Sequence, residues 1–201
     1  MVFDSLAAFL LFAACVMAWL LAAEARLPSR VNIRFAAMLL AALAAARLPG
    51  LALSEWSVLG PAVALIVVPL ASTLLALGLF AFLVRPVPVG AAASGLGLSL
   101  AAGLAAALSG VPAYAALCPI GGGFLIAAAV FRDAGAARAS WSSLAGLLAA
   151  LSLLCGGFAL MDGAIDLAEM FLAATLIGAA SQTRVEPQAR ANGLAAVKTR
   201  G

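Results

Sequence analysis

The sequence predicts an all-α protein: a polytopic transmembrane helical bundle of about seven spans. Of its 201 residues, 66% are hydrophobic and only 9% are charged. A water-soluble domain of this size needs more charge than that to cover its core. The hydrophobic residues also form repeated runs of roughly 17–25, the length of helix that crosses a bilayer. Both observations place the chain in a membrane, and we expect the lipid bilayer to be its main partner.

The first three spans are predicted from their apolar runs and from the residues that flank them. The N-terminal sequence MVFDS has no basic residue, unlike a secretory signal, so the first run is interpreted as a retained span. The second run carries Arg47 near its end. The third run is long, and Pro61 is expected to begin its helix. The predicted ranges are 5–23, 34–52 and 57–84.

The last four spans follow the same pattern. Only the turn SGVP, residues 109–112, separates the fourth span from the fifth, so these two are expected to be antiparallel neighbours. Trp141 lies at the start of the sixth, where interfacial aromatic residues are common. The predicted ranges are 91–110, 112–131, 141–161 and 164–181. Residues 182–201 are predicted to form a basic, mostly disordered cytoplasmic tail.

The basic residues predict the orientation. With seven spans, ten of the eleven Lys and Arg residues fall on one side of the membrane, and Arg47 is the exception. The positive-inside rule then places the N-terminus outside and the C-terminus inside. The alanine-rich composition is typical of a GC-rich bacterial genome, so we expect the cytoplasmic (inner) membrane of a bacterium.

A weak internal similarity divides the spans into three, one and three. Arg30 corresponds to Arg138 at a spacing of 108 residues, and LLAAL occurs at both 39–43 and 147–151. Two alternatives fit this match: a parallel repeat, as in some transporters, or chance similarity between helices rich in Leu and Ala.

The stretch CPIGGG in the fifth span predicts a break in a membrane helix. Pro119 cannot donate its backbone N–H, and Gly121, Gly122 and Gly123 lower the cost of unwinding. These residues lie roughly 10–17 Å along the span, near the bilayer midplane. Carbonyl groups freed there need a protein, water or ligand partner. Pro69 lies at a similar depth in the third span, so two kinked helices are expected around one substrate or ion site. Close helix packing is the alternative interpretation.

An acidic cluster marks the start of the seventh span. Asp162, Asp166 and Glu169 are spaced four and three residues apart, which places them on one helix face. Glu169 lies inside the span, where an ionised carboxylate needs a partner, water or a proton. Arg47 is the basic residue predicted near the same membrane face, and we expect it to form an ion pair with Glu169 or Asp166. Crowded carboxylates also suit the handling of protons or cations.

Small residues recur every four positions in the fourth span and predict close helix packing. They leave open whether the neighbour belongs to this chain, to a second copy in a homo-oligomer or to another subunit of a larger membrane complex. The residues are Ala91, Gly95, Ser99, Gly103 and Ala107.

The composition argues against several other functions. The chain has no histidine, and its three cysteines, Cys15, Cys118 and Cys155, form no CxxC pair. Histidine-ligated haem, histidine zinc sites and Ser-His catalysis are therefore excluded. We expect no cofactor, no metal site, no enzymatic activity and no nucleic-acid partner.

Two functional hypotheses follow from these features. The first is a small-solute or ion transporter with a midplane site at the broken fifth span and an acidic seventh span. The alternative is a non-catalytic accessory or assembly subunit of a larger membrane protein complex, whose helices only pack.

Overall fold

The residues that the structure describes, in a computed structural model, form seven α-helices. The described backbone comprises residues 2–21, 23, 29–46, 56–84, 87–134 and 141–198, and the described side chains are those of 9, 11–20, 23, 30–44, 61–84, 87–132 and 144–181. The helices are α1 (Val2–Leu21), α2 (Ser29–Ala46), α3 (Trp56–Leu83), α4 (Val89–Ser109), α5 (Ala113–Ala134), α6 (Trp141–Met161) and α7 (Ile165–Lys198).

Within the described residues, four helical segments are long and apolar enough to cross a membrane. Residues Leu11–Leu20 form a shorter apolar helix. The expectation of an all-α, multi-pass membrane protein in contact with lipid is therefore confirmed. The four segments are Pro61–Leu83, Val89–Ser109, Ala113–Arg132 and Leu144–Met161.

Glycines in the left-handed conformation close two tight turns between helices. Gly110 has φ 69° and ends α4, where its N–H donates to the carbonyl of Ala106. Gly163 has φ 75° between α6 and α7, and its N–H donates to the carbonyl of Leu160 at 3.0 Å. Residues with a Cβ rarely adopt this conformation, so both turns depend on glycine.

Six of the helices form a closed ring. Each helix contacts the next in the order α1, α2, α3, α5, α6, α7 and back to α1. Contacts between α3 and α7 and between α2 and α7 cross the ring, while α4 lies outside it against α3 and α5. Helices α3 and α7 are therefore the central elements of the bundle.

The two groups of three helices are arranged alike. Helices α1, α2 and α3 begin at residues 2, 29 and 56, and α5, α6 and α7 begin at 113, 141 and 165, which gives offsets of 111, 112 and 109 residues. The contacts α1–α2 and α2–α3 correspond to α5–α6 and α6–α7, and α3–α5 corresponds to α7–α1. These contacts between successive helices are those that a repeat of three helices would give, while the α2–α7 contact has no α3–α6 counterpart of similar size.

Two predicted boundaries differ from the structure. The second span was predicted to begin at residue 34, but α2 begins at Ser29, because the charges of Arg30 and Arg34 do not interrupt a helix. Its predicted end at residue 52 lies outside the described residues. Residues 182–198 are helical as the continuation of α7, where a mostly disordered tail was predicted. That segment contains Ala, Arg, Gln and Glu, which are good helix formers, together with Pro187 and Gly193, which are not.

Candidate functional site

Among the described side chains, Glu169 is the acidic residue that the fold buries. It lies one turn inside α7, and its exposed fraction is 0%. Leu172, Leu176 and Ala180 follow at spacings of three and four residues and are also buried. Glu169 therefore heads the face of α7 that is turned into the bundle.

The other buried polar side chains are hydroxyls, and their hydrogen bonds are satisfied locally. Among the described side chains these are Ser72, Ser99 and Thr175. Ser72 donates to the carbonyl of Val68 at 2.6 Å, and Thr175 donates to the carbonyl of Phe171 at 2.8 Å. Such bonds to the preceding turn are ordinary for hydroxyls in helices. Of the Asp, Glu, Lys and Arg side chains that the structure describes, only that of Glu169 is fully buried.

A pocket opens at the start of α7. It has a volume of about 380 Å³ and is lined by Pro61 of α3 and by residues 163–167. Asp166 lines this pocket and is exposed, and Asp162, in the turn before it, is also exposed. One carboxylate therefore lies in an open mouth, and a second lies buried one helical turn deeper.

The predicted partner of Glu169, Arg47, lies outside the described residues. The helix that precedes it, α2, does contact α7. The requirement that the second and seventh helices be neighbours is therefore met, and the ion pair itself stays a prediction.

The structure corrects the predicted break in the fifth span. Helix α5 is continuous from Ala113 to Ala134, with Pro119 inside it. A methyl group added at Gly122 would lie 3.0 Å from Leu153 and 3.1 Å from the Cβ of Ala76, which belong to α6 and α3. At Gly123 it would lie 3.0 Å from the carbonyl of Ala150. Two of the three glycines thus bring α5 close to its neighbours, and this packing holds the helix together around the proline.

Gly121 and Pro119 do not share the contacts of Gly122 and Gly123. Gly121 is exposed, with nothing within 4 Å of an added Cβ. Pro119 is buried in α5. On the facing helix, a Cβ at Gly157 would meet the backbone N of Ile120 at 3.1 Å and the carbonyl of Ala116 at 3.3 Å. The contact between α5 and α6 is therefore made through glycines on both helices.

Pro69 lies at the contact between α3 and α4. The carbonyl that a proline releases is that of the residue four positions earlier, here Leu65. A Cβ at Gly103 of α4 would lie 3.0 Å from this Leu65 carbonyl oxygen and 3.3 Å from the ring of Pro69. Helix α4 therefore covers the released carbonyl.

The small residues of α4 lie at this same contact. Ser99 and Gly103 are buried, Gly95 and Ala107 are partly buried, and Ala91 is exposed. The hydroxyl of Ser99 hydrogen bonds to that of Thr73 on α3. The small residues in the middle of α4, Gly95, Ser99 and Gly103, therefore pack against α3 of the same chain. Sequence spacing did not identify Thr73, because hydroxyl residues within an apolar run usually bond to the preceding helical turn and give no signal of a partner helix.

The predicted site residues are only partly brought together. Gly122 meets α3 at Ser72 and Ala76, one to two turns beyond Pro69. Glu169 lies about 6 Å along α7, and Gly122 about 14 Å along α5, so the acidic group is shallower than the glycines.

The basic pair near the start of α2 was not identified from the sequence. Arg30 and Arg34 lie in the first two turns of α2. The guanidinium of Arg34 is stacked over the ring of Trp19 at 4.8 Å from its centroid. Their spacing of four residues was the available signal, since it places two charges on one helix face.

Within the described residues there is no group of three or more His, Cys, Asp or Glu side chains able to hold a metal ion. Comparison with protein-family models, curated proteins and solved structures finds no match to this chain.

Proposed function

We propose that this protein is a small-solute or ion transporter of a bacterial cytoplasmic membrane. It would have seven spans, with its N-terminus outside and its C-terminus inside. Glu169 would bind and release a proton or cation, and Asp166 would attract it at the outer mouth.

The observation that carries this proposal is the full burial of Glu169 in a central helix. A carboxylate inside a membrane helix costs several kcal/mol unless it is paired, hydrated or protonated. Such residues usually serve an ion or substrate path for that reason. In this proposal a proton or cation passes from the open pocket at Asp166 to Glu169, three residues further along α7.

The arrangement of the helices supports the same proposal. In transporters built from repeats, the site lies at the repeat interface, and the two halves move against each other. With α1–α3 and α5–α7 taken as the two repeats, α3 and α7 meet at their interface, and Glu169 belongs to α7. In this proposal Gly122 and Gly123 contribute the surfaces along which α5 moves against α3 and α6, rather than an unwound backbone site. Pro119 lies in the same helix, Pro69 lies where α3 meets α4, and the exposed Gly121 lies outside these surfaces.

One observation favours the alternative, an accessory or assembly subunit. Only 17% of the apolar segment of α4 is buried inside the bundle, so most of this helix is available to lipid or to another subunit. The close packing at Gly122 and Gly123 also fits a protein whose helices only pack.

A flux assay with matched carboxylate variants tests the proposal. The purified full chain is reconstituted in liposomes, and entry of protons and of sodium is followed under an imposed pH gradient and membrane potential. We expect Glu169→Gln to lower the flux by at least about tenfold, since a positioned acid–base group typically contributes more than that. Asp162→Asn is the control, because Asp162 is exposed in the turn outside the helix.

Two results would argue against transport. One is a flux of the unaltered chain no greater than that of empty liposomes. The other is equal flux in the Glu169→Gln and Asp162→Asn variants. Stoichiometric copurification with other membrane subunits would then support the alternative.

A further inference from the structure

A groove between α1 and α2 opens toward the surface of the bundle. It has a volume of about 220 Å³, and its lining is wholly apolar. Phe12, Leu20 and Met38 are among its lining residues and are 57%, 66% and 51% exposed. In a multi-pass membrane protein such a face meets lipid chains rather than water.

One end of the groove carries positive charge. Trp19 lines the groove, and the guanidinium of Arg34 is stacked over its ring. Arg30 lies one turn earlier on the same helix face. Both arginines also lie at the N-terminal end of α2, where the helix dipole favours an anion.

The two guanidinium groups have unused donors. The Nε atoms of Arg30 and Arg34 are buried, and neither has a hydrogen-bond partner in the part of the chain that the structure describes. A buried donor without an acceptor costs free energy. An incoming oxygen acceptor would remove that cost at both positions.

We propose that this groove binds an anionic phospholipid. One acyl chain lies along Phe12, Val16 and Trp19, and the phosphate accepts hydrogen bonds from Arg30 and Arg34. Guanidinium groups match phosphate oxygens in geometry and charge. A free anion would contact the arginines but not the apolar groove that begins beneath Arg34. A phospholipid contacts both, so the occupant is a lipid. This site does not depend on the proposed transport function.

The predicted orientation agrees with this occupant. The start of α2 lies on the cytoplasmic side when the N-terminus is outside. Anionic lipids are concentrated in the cytoplasmic leaflet, and basic pockets between helices on that side bind anionic headgroups. Trp19 lies two residues before the end of α1, and tryptophan is enriched at the ends of membrane spans.

Fluorescence quenching of Trp19 tests the proposal. The full chain with Trp56→Phe and Trp141→Phe retains Trp19 as its only tryptophan. It is reconstituted in phosphatidylcholine vesicles that contain rising fractions of phosphatidylglycerol with brominated acyl chains. A matched series uses brominated phosphatidylcholine. We expect half-maximal quenching at a fraction of phosphatidylglycerol that is at least about fivefold lower than that of phosphatidylcholine.

Variants separate the headgroup contact from the chain contact. Arg30→Gln should reduce the preference for phosphatidylglycerol by about fivefold, and Arg132→Gln should leave it unchanged, since Arg132 is an exposed basic residue in the last turn of α5. Ala41→Phe fills the groove and leaves both arginines in place. The Ala41→Phe substitution should abolish the quenching of Trp19 at low fractions of brominated phosphatidylglycerol. Native mass spectrometry of the chain with all three tryptophans gives a second measurement: retained phosphatidylglycerol should be lost with Arg30→Gln and with Ala41→Phe.

Several results would overturn the proposal. Equal quenching by the two lipids would show that the arginines select no headgroup. Loss of the preference in added inorganic phosphate would show a site for a soluble anion. Quenching that weakens as the protein-to-lipid ratio rises would show that a second copy of the chain covers the groove.

Discussion

At Gly103 the missing side chain lets α4 lie directly on the backbone of α3. An added methyl group would lie 2.8 Å from the Cα of Ile66 and 3.0 Å from the carbonyl oxygen of Leu65. Both are backbone atoms, which cannot move aside as the end of a flexible side chain can. The spacing of small residues in the sequence predicted a packing face here, but it did not identify α3 as the neighbour, because the same spacing suits any partner helix.

Gly103→Ala should therefore destabilise the protein. We expect the free energy of unfolding in mild detergent to fall by about 1–3 kcal/mol, the usual cost of overpacking. Gly97→Ala on the same helix is the matched control, since nothing lies within 4 Å of a Cβ there. Its unfolding free energy should stay within about 0.5 kcal/mol of the original. Equal effects at the two positions would contradict the α3–α4 contact.

The local sequence of α5 was not sufficient to predict whether this helix is continuous. Its proline and three glycines predicted an unwound segment, whereas the structure has a continuous helix. Local propensity does disfavour the helix at these positions. The contacts of Gly122 and Gly123 with α3 and α6 outweigh it, and those contacts depend on a tertiary arrangement that no local pattern contains.

The three adjacent glycines of α5 allow a prediction with an internal control. If they serve close packing, Gly123→Ala should lower the thermal stability of the protein, because an added methyl group would lie 3.0 Å from the carbonyl of Ala150. Gly121→Ala should have little effect, because Gly121 is exposed with open space around it. If the segment instead unwinds in function, both substitutions should stiffen it, and both should change the flux alike. Thermal melting and flux of the two variants together distinguish these outcomes.

For the whole molecule, composition was sufficient to predict an all-α membrane protein, because a chain with 9% charged residues cannot cover a water-soluble core. The ring of six helices could not be predicted in this way, since helix contacts in membranes depend on small residues that occur all along this chain. The similarity at a spacing of 108 residues was a faint signal of the two groups of three helices. Part of the candidate site could be predicted. The spacing of the acidic residues in the sequence indicated the acidic face of α7. Only the packing of the helices shows that Glu169 is buried and that Asp166 is exposed.

The location of the two termini tests the account most directly. Seven spans place the two termini on opposite sides of the membrane. If only the four long apolar segments of the described residues crossed it, the termini would lie on the same side. The full chain is expressed with a fluorescent protein fused to its C-terminus, which folds only in the cytoplasm, and with Ser5→Cys as a target for a membrane-impermeant maleimide. We predict a fluorescent C-terminus and labelling of position 5 in intact cells. A fluorescent C-terminus with a position 5 that is labelled only after the cells are lysed would contradict the seven-span arrangement and the outer location of Asp166 and Glu169.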